Sequence, residues 1–207
     1  MKTFIYVLDT LADWEIGYLT SELNSRRYFD PSQVIDHELV FIGKDLAPVT
    51  TMGGVTITPA QELRELSFGP EDLLVLPGSD RWLEDQHDDV LTTAKHLIEN
   101  GHKVAAICGA TFGLAKIGAL DSVAHTSNNR EYLQMVCPTY SGSAFFQDTL
   151  VAVDGNLITA SGIAPLEFAR EILALLGVLR PSTLEAWFNL YQTKDPNWFN
   201  RLMSSLQ

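Results

Sequence analysis

The sequence predicts an α/β protein, a three-layer α/β/α sandwich of the doubly wound kind. Short apolar runs rich in β-branched residues recur along the chain, and most are followed by a stretch whose apolar residues have helical spacing. Strands that alternate with helices form a mostly parallel sheet that is covered on both faces. The 207 residues are enough for one such domain with a sizeable core.

In the first hundred residues the order is strand, helix, strand, hairpin, helix, strand and helix. Apolar runs that polar residues end predict strands over 2–10, 37–45 and 72–80, and helical spacing predicts a helix over 11–26. Gly53-Gly54 predicts the turn of a hairpin over 48–59. A helix start is predicted at Thr58 as the cap, with Pro59 at the first helical position and Gln61 three residues after the cap. The helix that follows the strand over 72–80 is expected to end at Asn100-Gly101, where the glycine suits a helix C-terminus.

In the second half, KVAAIC predicts a strand and GATFGLAKIGAL the helix after it. SVAH predicts a short strand, followed by a helix that Asn128 caps, with Glu131 three residues on. Two strands are predicted on either side of Asp154-Gly155-Asn156, and then a strongly amphipathic helix that Arg180-Pro181 closes. The elements together predict a flavodoxin-like sheet.

The aromatic tail predicts two helices, separated at Asp195-Pro196. We therefore divide the chain into a domain over residues 1–180 and a C-terminal helical extension of the same domain over 181–207. The tail is expected to cover a face of its own domain; a dimer contact and a lid over the site are the alternatives.

Composition excludes several classes of protein. The net charge of −12 argues against non-specific binding to nucleic acid or anionic membranes, because both require clustered Lys and Arg. The apolar runs are too short for a membrane span or a secretory signal. Two cysteines, Cys108 and Cys137, do not make a disulfide framework, so a reducing cytoplasm is the expected location.

Cys108 lies where a buried strand is expected to end and a helix to begin. Small residues occupy the positions two before and two after it, Ala106 and Ala110. This pattern is typical of a nucleophile elbow, in which a strained turn brings strand and helix too close for large side chains. The start of a helix would also favour the reactive thiolate. The alternative is a structural cysteine in a strand of small residues.

These motifs, in this order, resemble the ThiJ/PfpI superfamily, which is related to class I glutamine amidotransferase domains. The resemblance covers roughly residues 2–178 and rests on five segments: the early DWE, LPGS, AAICGAT, VAHTSN, and ITASG followed after four residues by EFA.

The resemblance implies roles for six residues. Cys108 corresponds to the reactive cysteine, and Glu15 to the acid that hydrogen-bonds its sulfur. Gly78 and the backbone amides of Gly109 and Ala110 correspond to an oxyanion hole. His125 ends a short strand, as a histidine does in glyoxalase- and deglycase-like members; it would act as a base, or else pack locally.

Two departures from the pattern narrow the activity. Peptidase-like members carry a histidine directly after the cysteine, where this chain has Gly109. Amidotransferases use a late His-x-Glu pair, and this chain has no histidine after His125. Neither a peptidase pair nor a functional glutamine amidotransferase triad is therefore expected.

The remaining candidates have mainly structural interpretations. Ser79, Thr126, Ser127 and Asn128 are possible pocket residues, although the last three are first of all helix-starting residues. Cys137 is expected to be structural, with a resolving thiol as the alternative. His37, His87, His96 and His102 are expected to be structural or solvated. No spacing predicts a metal site, and no cofactor is implied.

The sequence therefore predicts a cysteine-dependent enzyme, a hydrolase or lyase of the ThiJ/PfpI type, that acts on a small electrophilic substrate. A redox or stress sensor that uses oxidation of Cys108 is the first alternative, and a catalytically silent ligand-binding domain is the second. A homodimer is expected, because superfamily members generally associate.

Overall fold

A computed structural model describes all 207 residues. The strands are β1 Lys2–Tyr6, β2 Glu38–Gly43, β3 Val49–Thr50, β4 Thr56–Ile57, β5 Gln61–Glu62, β6 Leu73–Leu76, β7 Lys103–Ile107, β8 Val151–Asp154 and β9 Leu157–Ala160. The α-helices are α1 Asp13–Ser25, α2 Asp88–Glu99, α3 Gly109–Lys116, α4 Arg130–Val136, α5 Pro165–Leu176, α6 Pro181–Thr193 and α7 Asn197–Ser204.

Seven strands form the central sheet in the order β5-β2-β1-β6-β7-β9-β8, and β3 and β4 form a separate hairpin. Every pairing in the central sheet is parallel except that of β8 with β9. The run β2-β1-β6-β7-β9 has the flavodoxin strand order, which confirms the predicted fold class.

The sheet has an apolar core on each face. Alternate residues of β1 point to opposite faces, so that Phe4 and Tyr6 join one core and Ile5 joins the other. Helices α2, α3 and α4 cover the first face, and α1, α5, α6 and α7 cover the second. The fold is therefore the three-layer sandwich that the sequence predicts.

The C-terminal helices α6 and α7 pack in the same core as α1 and α5. Trp187 is fully buried, and its indole N–H donates to Glu22 Oε1 at 3.0 Å. Arg180 Nε donates to Asp30 Oδ1 at 2.8 Å, at the start of α6. The aromatic tail thus covers a face of its own domain.

Three local predictions are wrong. The segment after Thr58 starts no helix: Ala60 N–H donates to Phe41 O at 2.8 Å, so the chain joins the sheet edge and continues as β5. SVAH forms only one isolated bridge, between His125 and Phe146, and no strand of the sheet. The cap of α4 is Asn129, one residue later than predicted.

The other predicted elements are present, including the hairpin β3–β4, the pair β8–β9 and the two last helices. None of the helices combines the length and the apolarity that a membrane span requires.

Candidate active site

Cys108 connects β7 to α3 in a strained conformation. Its φ is 58° and its ψ is −125°, and it serves as the N-cap of α3. A positive φ in a residue with a side chain costs on the order of 1–3 kcal/mol, so the surrounding fold must enforce it. The backbone N–H donates to Ala160 O at 2.9 Å, which ties the turn to β9. The geometry is that of the predicted nucleophile elbow.

Glycines surround the sulfur because no larger residue fits. A Cβ at Gly78 would lie 2.8 Å from Cys108 Cβ, and a Cβ at Gly162 would lie 2.7 Å from Cys108 Sγ. A Cβ at Gly109 would lie 2.5 Å from the backbone oxygen of Ser79. The histidine that peptidase-like members carry after the cysteine is therefore sterically excluded in this backbone.

Glu15 reaches the elbow from the first turn of α1 and is fully buried. Its Oε2 accepts a hydrogen bond from Gly78 N–H at 2.5 Å, whereas its Oε1 has no partner. Burial raises the pKa of Glu15 to about 7, although the nearby Cys108 thiol and the hydrogen bond from Gly78 N–H favour the ionised form. This carboxyl group can therefore take up or release a proton near neutral pH.

The thiol of Cys108 is a weak acid in this environment. Burial and the negative charge of Glu15 raise the pKa of Cys108 to about 11, against opposing hydrogen bonds from Asn128 and the Gly109 amide. The start of the helix was expected to favour the thiolate; here burial and a like charge outweigh that effect and favour the thiol. The two acids act as a coupled pair that carries one negative charge at pH values between their two transitions.

Asn128 is placed beside the sulfur. Its Oδ1 accepts from Gly162 N–H at 2.7 Å, and this bond turns its amide nitrogen to within 3.2 Å of Cys108 Sγ. The residue can do this because Asn129, and not Asn128, caps α4 through Tyr132 N–H. Asn128 therefore donates a hydrogen bond that favours negative charge on the sulfur.

Two of the three predicted oxyanion donors are not engaged by another oxygen, although the Gly109 amide also faces the sulfur of Cys108. The amides of Gly109 and Ala110 lie in the first turn of α3, where backbone N–H groups lack helical partners. The amide of Gly78 is engaged by Glu15. Gly78 is therefore a support for the acid, and the predicted oxyanion hole reduces to the amides of Gly109 and Ala110.

His125 does not reach the site. Its Nδ1 lies 2.7 Å from Val123 O, so this nitrogen carries the proton, and its Nε2 accepts from Tyr140 Oη at 2.6 Å. The ring is fully buried and stacks edge-on against Tyr140 and Phe146. Burial lowers the pKa of His125 and both nitrogens are occupied, so the residue cannot act as the predicted base.

The other predicted pocket residues separate into two groups. Ser79 lines the pocket, but its hydroxyl donates to Asp9 O at 2.7 Å. Thr126 and Ser127 lie outside the pocket: the hydroxyl of Thr126 donates to Thr149 O, and that of Ser127 lies 2.6 Å from Thr111 Oγ1. Of these candidates, only Asn128 presents a free polar group to the sulfur.

A pocket of about 330 Å³ opens above Cys108. Its walls include the apolar side chains of Trp14, Met52, Phe112 and Tyr132, which the sequence analysis did not single out. Met52 comes from the hairpin β3–β4, which Asp13 holds in place by accepting from Thr51 Oγ1 at 2.6 Å. Residues this far apart in sequence gave no common signal, although Trp14 lies next to Glu15 in the DWE motif.

Cys137 lies in the other core. It is 2% exposed, and its thiol donates to Phe112 O at 3.2 Å. The predicted structural role fits this sealed position. His37 and His87 are also buried and bonded, to Thr3 and Tyr6. No group of three or more His, Cys, Asp or Glu side chains is arranged to hold a metal ion.

Known proteins share this fold and sequence over almost the whole chain. The model of the DJ-1/PfpI family matches residues 1–175. A Bacillus subtilis (strain 168) protein named "Uncharacterized protease YoaZ" is 45% identical over 205 residues, which cover 99% of this chain and 97% of that protein.

Two crystal structures give the same result. A thiJ/pfpI family protein from Bacillus anthracis is 46% identical with a TM-score of 0.95, covering 99% of this chain and 96% of its own. A DJ-1 superfamily protein from Agrobacterium tumefaciens is 32% identical with a TM-score of 0.79, covering 94% and 98%. The chain therefore belongs to the DJ-1/PfpI family.

Proposed function

We propose that the protein is a cysteine-dependent enzyme that acts on a small electrophilic substrate such as a carbonyl compound or an amide. One observation carries the proposal. The strained Cys108 lines an open pocket. The unpaired Oε1 of Glu15 lies near its sulfur, because a Cβ built at Gly162 would be within 3.0 Å of both atoms.

In this mechanism Glu15 moves the proton that the weakly acidic thiol must lose. As the sulfur attacks the electrophilic carbon, the ionised carboxylate accepts the thiol proton, the C–S bond forms and the C=O π electrons move onto oxygen. The amides of Gly109 and Ala110 donate to this oxyanion. The side-chain amide of Asn128 donates a hydrogen bond to the sulfur. Glu15 then returns the proton to the oxygen or to the leaving group.

A small substrate is favoured over a peptide. A pocket of about 330 Å³ is at the lower end of the range for small-molecule sites. The peptidase type of Cys-His pair cannot form, because Gly109 abuts the backbone of Ser79. The word protease in the names of the Bacillus subtilis relatives therefore receives no support from the arrangement around Cys108.

Turnover of a panel of small aldehydes, amides and isocyanides tests the proposal. Cys108→Ser and Glu15→Gln are expected to lower kcat/KM by about a thousandfold, because each removes a group that takes part in bond making. Cys137→Ser is the matched control and should retain activity. Equal activity of Cys108→Ser and the wild type on every substrate would contradict the proposal.

Redox sensing is the second candidate function, and one observation favours it. Below about pH 7 a protonated Glu15, together with the Asn128 amide, can hydrogen-bond the oxygens of an oxidised sulfur. Two equivalents of hydrogen peroxide would convert the thiol to a sulfinate and release two waters. Selective oxidation of Cys108 in mass spectra, without turnover of any substrate in the panel, would favour the sensor.

We also propose that the protein is a cytoplasmic homodimer. Both cysteines are free, and several large apolar side chains are about half exposed, among them Trp14 and Phe199. Light scattering at micromolar concentration should give twice the mass of the 23.0 kDa chain; a monomer mass would contradict the assembly.

A further inference from the structure

The pocket above Cys108 contains no positive side chain. Fourteen residues line it, and none is Lys, Arg or His. Its one carboxylate side chain is that of Asp80, which is exposed. The buried carboxyl group of Glu15 lies near the sulfur. The side chains of Asp80 and Glu15 therefore bring negative charge, or none when protonated, to the surroundings of the reacting atom.

The basic side chains around the rim are held by other acids. Arg81 follows Asp80 in sequence but pairs with Glu84 at 2.7 Å. Lys116 contacts the carbonyl of the wall residue Leu83 but pairs with Asp85 and Asp88 at 3.0 and 2.8 Å.

On the opposite side of the rim, Arg130 follows the wall residue Asn129 and pairs with Asp148 at 2.8 Å. Apart from the backbone amides of Gly109 and Ala110, an anionic ligand would therefore meet only the negative charges of Asp80 and Glu15 at Cys108, with no cationic side chain free to offset them.

Three aromatic side chains, Trp14, Phe112 and Tyr132, contribute to the walls of the pocket. The rings of Phe112 and Tyr132 lie 5.4 Å apart at 57°. Trp14 is half exposed, and its indole N–H donates to Gly162 O at 3.2 Å, which holds the ring at the residue that packs against the sulfur. These rings can pack against a planar apolar group that is attached to the reacting carbon.

We propose that the pocket selects uncharged or cationic electrophiles that carry a flat apolar group, and that it excludes carboxylates and phosphate esters. As a statement about the enzyme's substrates the inference rests on the proposed function, whereas the selectivity itself is a property of the pocket. The wall chemistry thus assigns the substrate class to neutral or cationic aryl carbonyl compounds rather than to keto acids or sugar phosphates.

Alkylation of Cys108 tests the selectivity without any turnover. Rates with iodoacetamide, iodoacetate and 2-iodo-N-phenylacetamide are measured by mass spectrometry of the Cys108 peptide, and each is divided by the rate of N-acetylcysteine with the same reagent. We expect the corrected rate with iodoacetate to be about tenfold below that with iodoacetamide. The phenyl reagent should react several-fold faster than iodoacetamide.

Two surface variants show which side chains cause the selectivity. Asp80→Lys should raise the ratio of the iodoacetate rate to the iodoacetamide rate several-fold, because the ratio cancels any change in the reactivity of the thiol itself. Tyr132→Ala should bring the ratio of the phenyl reagent rate to the iodoacetamide rate close to one. Both residues are exposed, so the variants are expected to fold.

Equal corrected rates with iodoacetate and iodoacetamide in the wild type would overturn the inference, whether or not turnover is found. Charge selectivity without turnover of any carbonyl substrate would leave the inference standing and count only against the proposed function.

Discussion

Two cysteines with ionisable neighbours lie on opposite sides of the sheet. Cys108 has a positive φ, a pocket above it and a carboxyl oxygen of Glu15 that lacks a partner. Cys137 has an ordinary φ of −122° and donates to a carbonyl, and in the same core both ring nitrogens of His125 are bonded. Residue types alone would rate a Cys and a His above a Cys and a Glu as a catalytic pair.

The surroundings of the two cysteines differ in whether their buried polar atoms all have hydrogen-bond partners. In the sealed core of Cys137, His125 and Tyr140, the polar side-chain atoms are satisfied, so nothing remains to bind a ligand. At the elbow, strain and an unpaired buried oxygen persist, and a fold tolerates such features at functional sites. The predictions below test this contrast.

The largest expected effect is a loss of stability between pH 4.5 and about pH 7. The pKa of Glu15 is raised from 4.5 to about 7, so the native state holds a proton that the unfolded state has lost between these values. The free energy of unfolding therefore falls as pH rises through this window, by about 3 kcal/mol from this group. Glu15→Gln should lack this decrease, as urea unfolding at pH 4.5 and pH 8 can measure.

Cys137→Ala is the matched control in the sealed core. It should change the free energy of unfolding by a similar amount at both pH values, because its thiol pKa is raised by burial above its usual 9. A wild type and a Glu15→Gln variant with the same pH dependence would show that the carboxyl is not destabilised by burial.

The second prediction concerns His125. Tyr140→Phe removes the hydroxyl that donates to His125 Nε2 and leaves a buried acceptor without a partner. We expect a loss of about 2 kcal/mol in the free energy of unfolding. The rate at which iodoacetamide alkylates Cys108 should not change. A slower reaction with unchanged stability would mean that His125 acts on the sulfur after all.

Most of the fold was predictable because it depends on local pattern. The apolar run of strand β7 and the helical spacing of α5 are visible in consecutive residues of the sequence. The mostly parallel sheet follows from the alternation of strands and helices along the chain. The errors arose where distant contacts decide: Ala60 joins the sheet because Phe41 offers a carbonyl, and no pattern within residues 58–61 shows this.

The candidate site was predictable only where a motif names the residue. Cys108 and Glu15 follow from the elbow pattern and the family resemblance, and the structure brings them together. Asn128 owes its position to a bond with Gly162, and Met52 to a hairpin that Asp13 anchors. Of the two interpretations of His125, a base or a locally packed ring, the structure shows the second; the sequence left both open because its partner Tyr140 is 15 residues away and carries no signal of the pairing.

The smallest expected effect comes from one methyl group, and it tests whether open space at the sulfur matters. Gly162→Ala places a Cβ 2.7 Å from Cys108 Sγ and 3.0 Å from Glu15 Oε1, so the sulfur must shift away from the acid. We expect alkylation of Cys108 by iodoacetamide to slow about tenfold, which corresponds to about 1.4 kcal/mol in the barrier.

Gly17→Ala is its counterpart on α1, two residues from Glu15, where a Cβ meets nothing within 4 Å. That variant should react at the wild-type rate and gain about 0.5–1 kcal/mol in stability from its better helix propensity. If both variants reacted at the wild-type rate, the close packing around the sulfur would have no part in its reactivity, and the two cysteines would differ only in exposure to solvent.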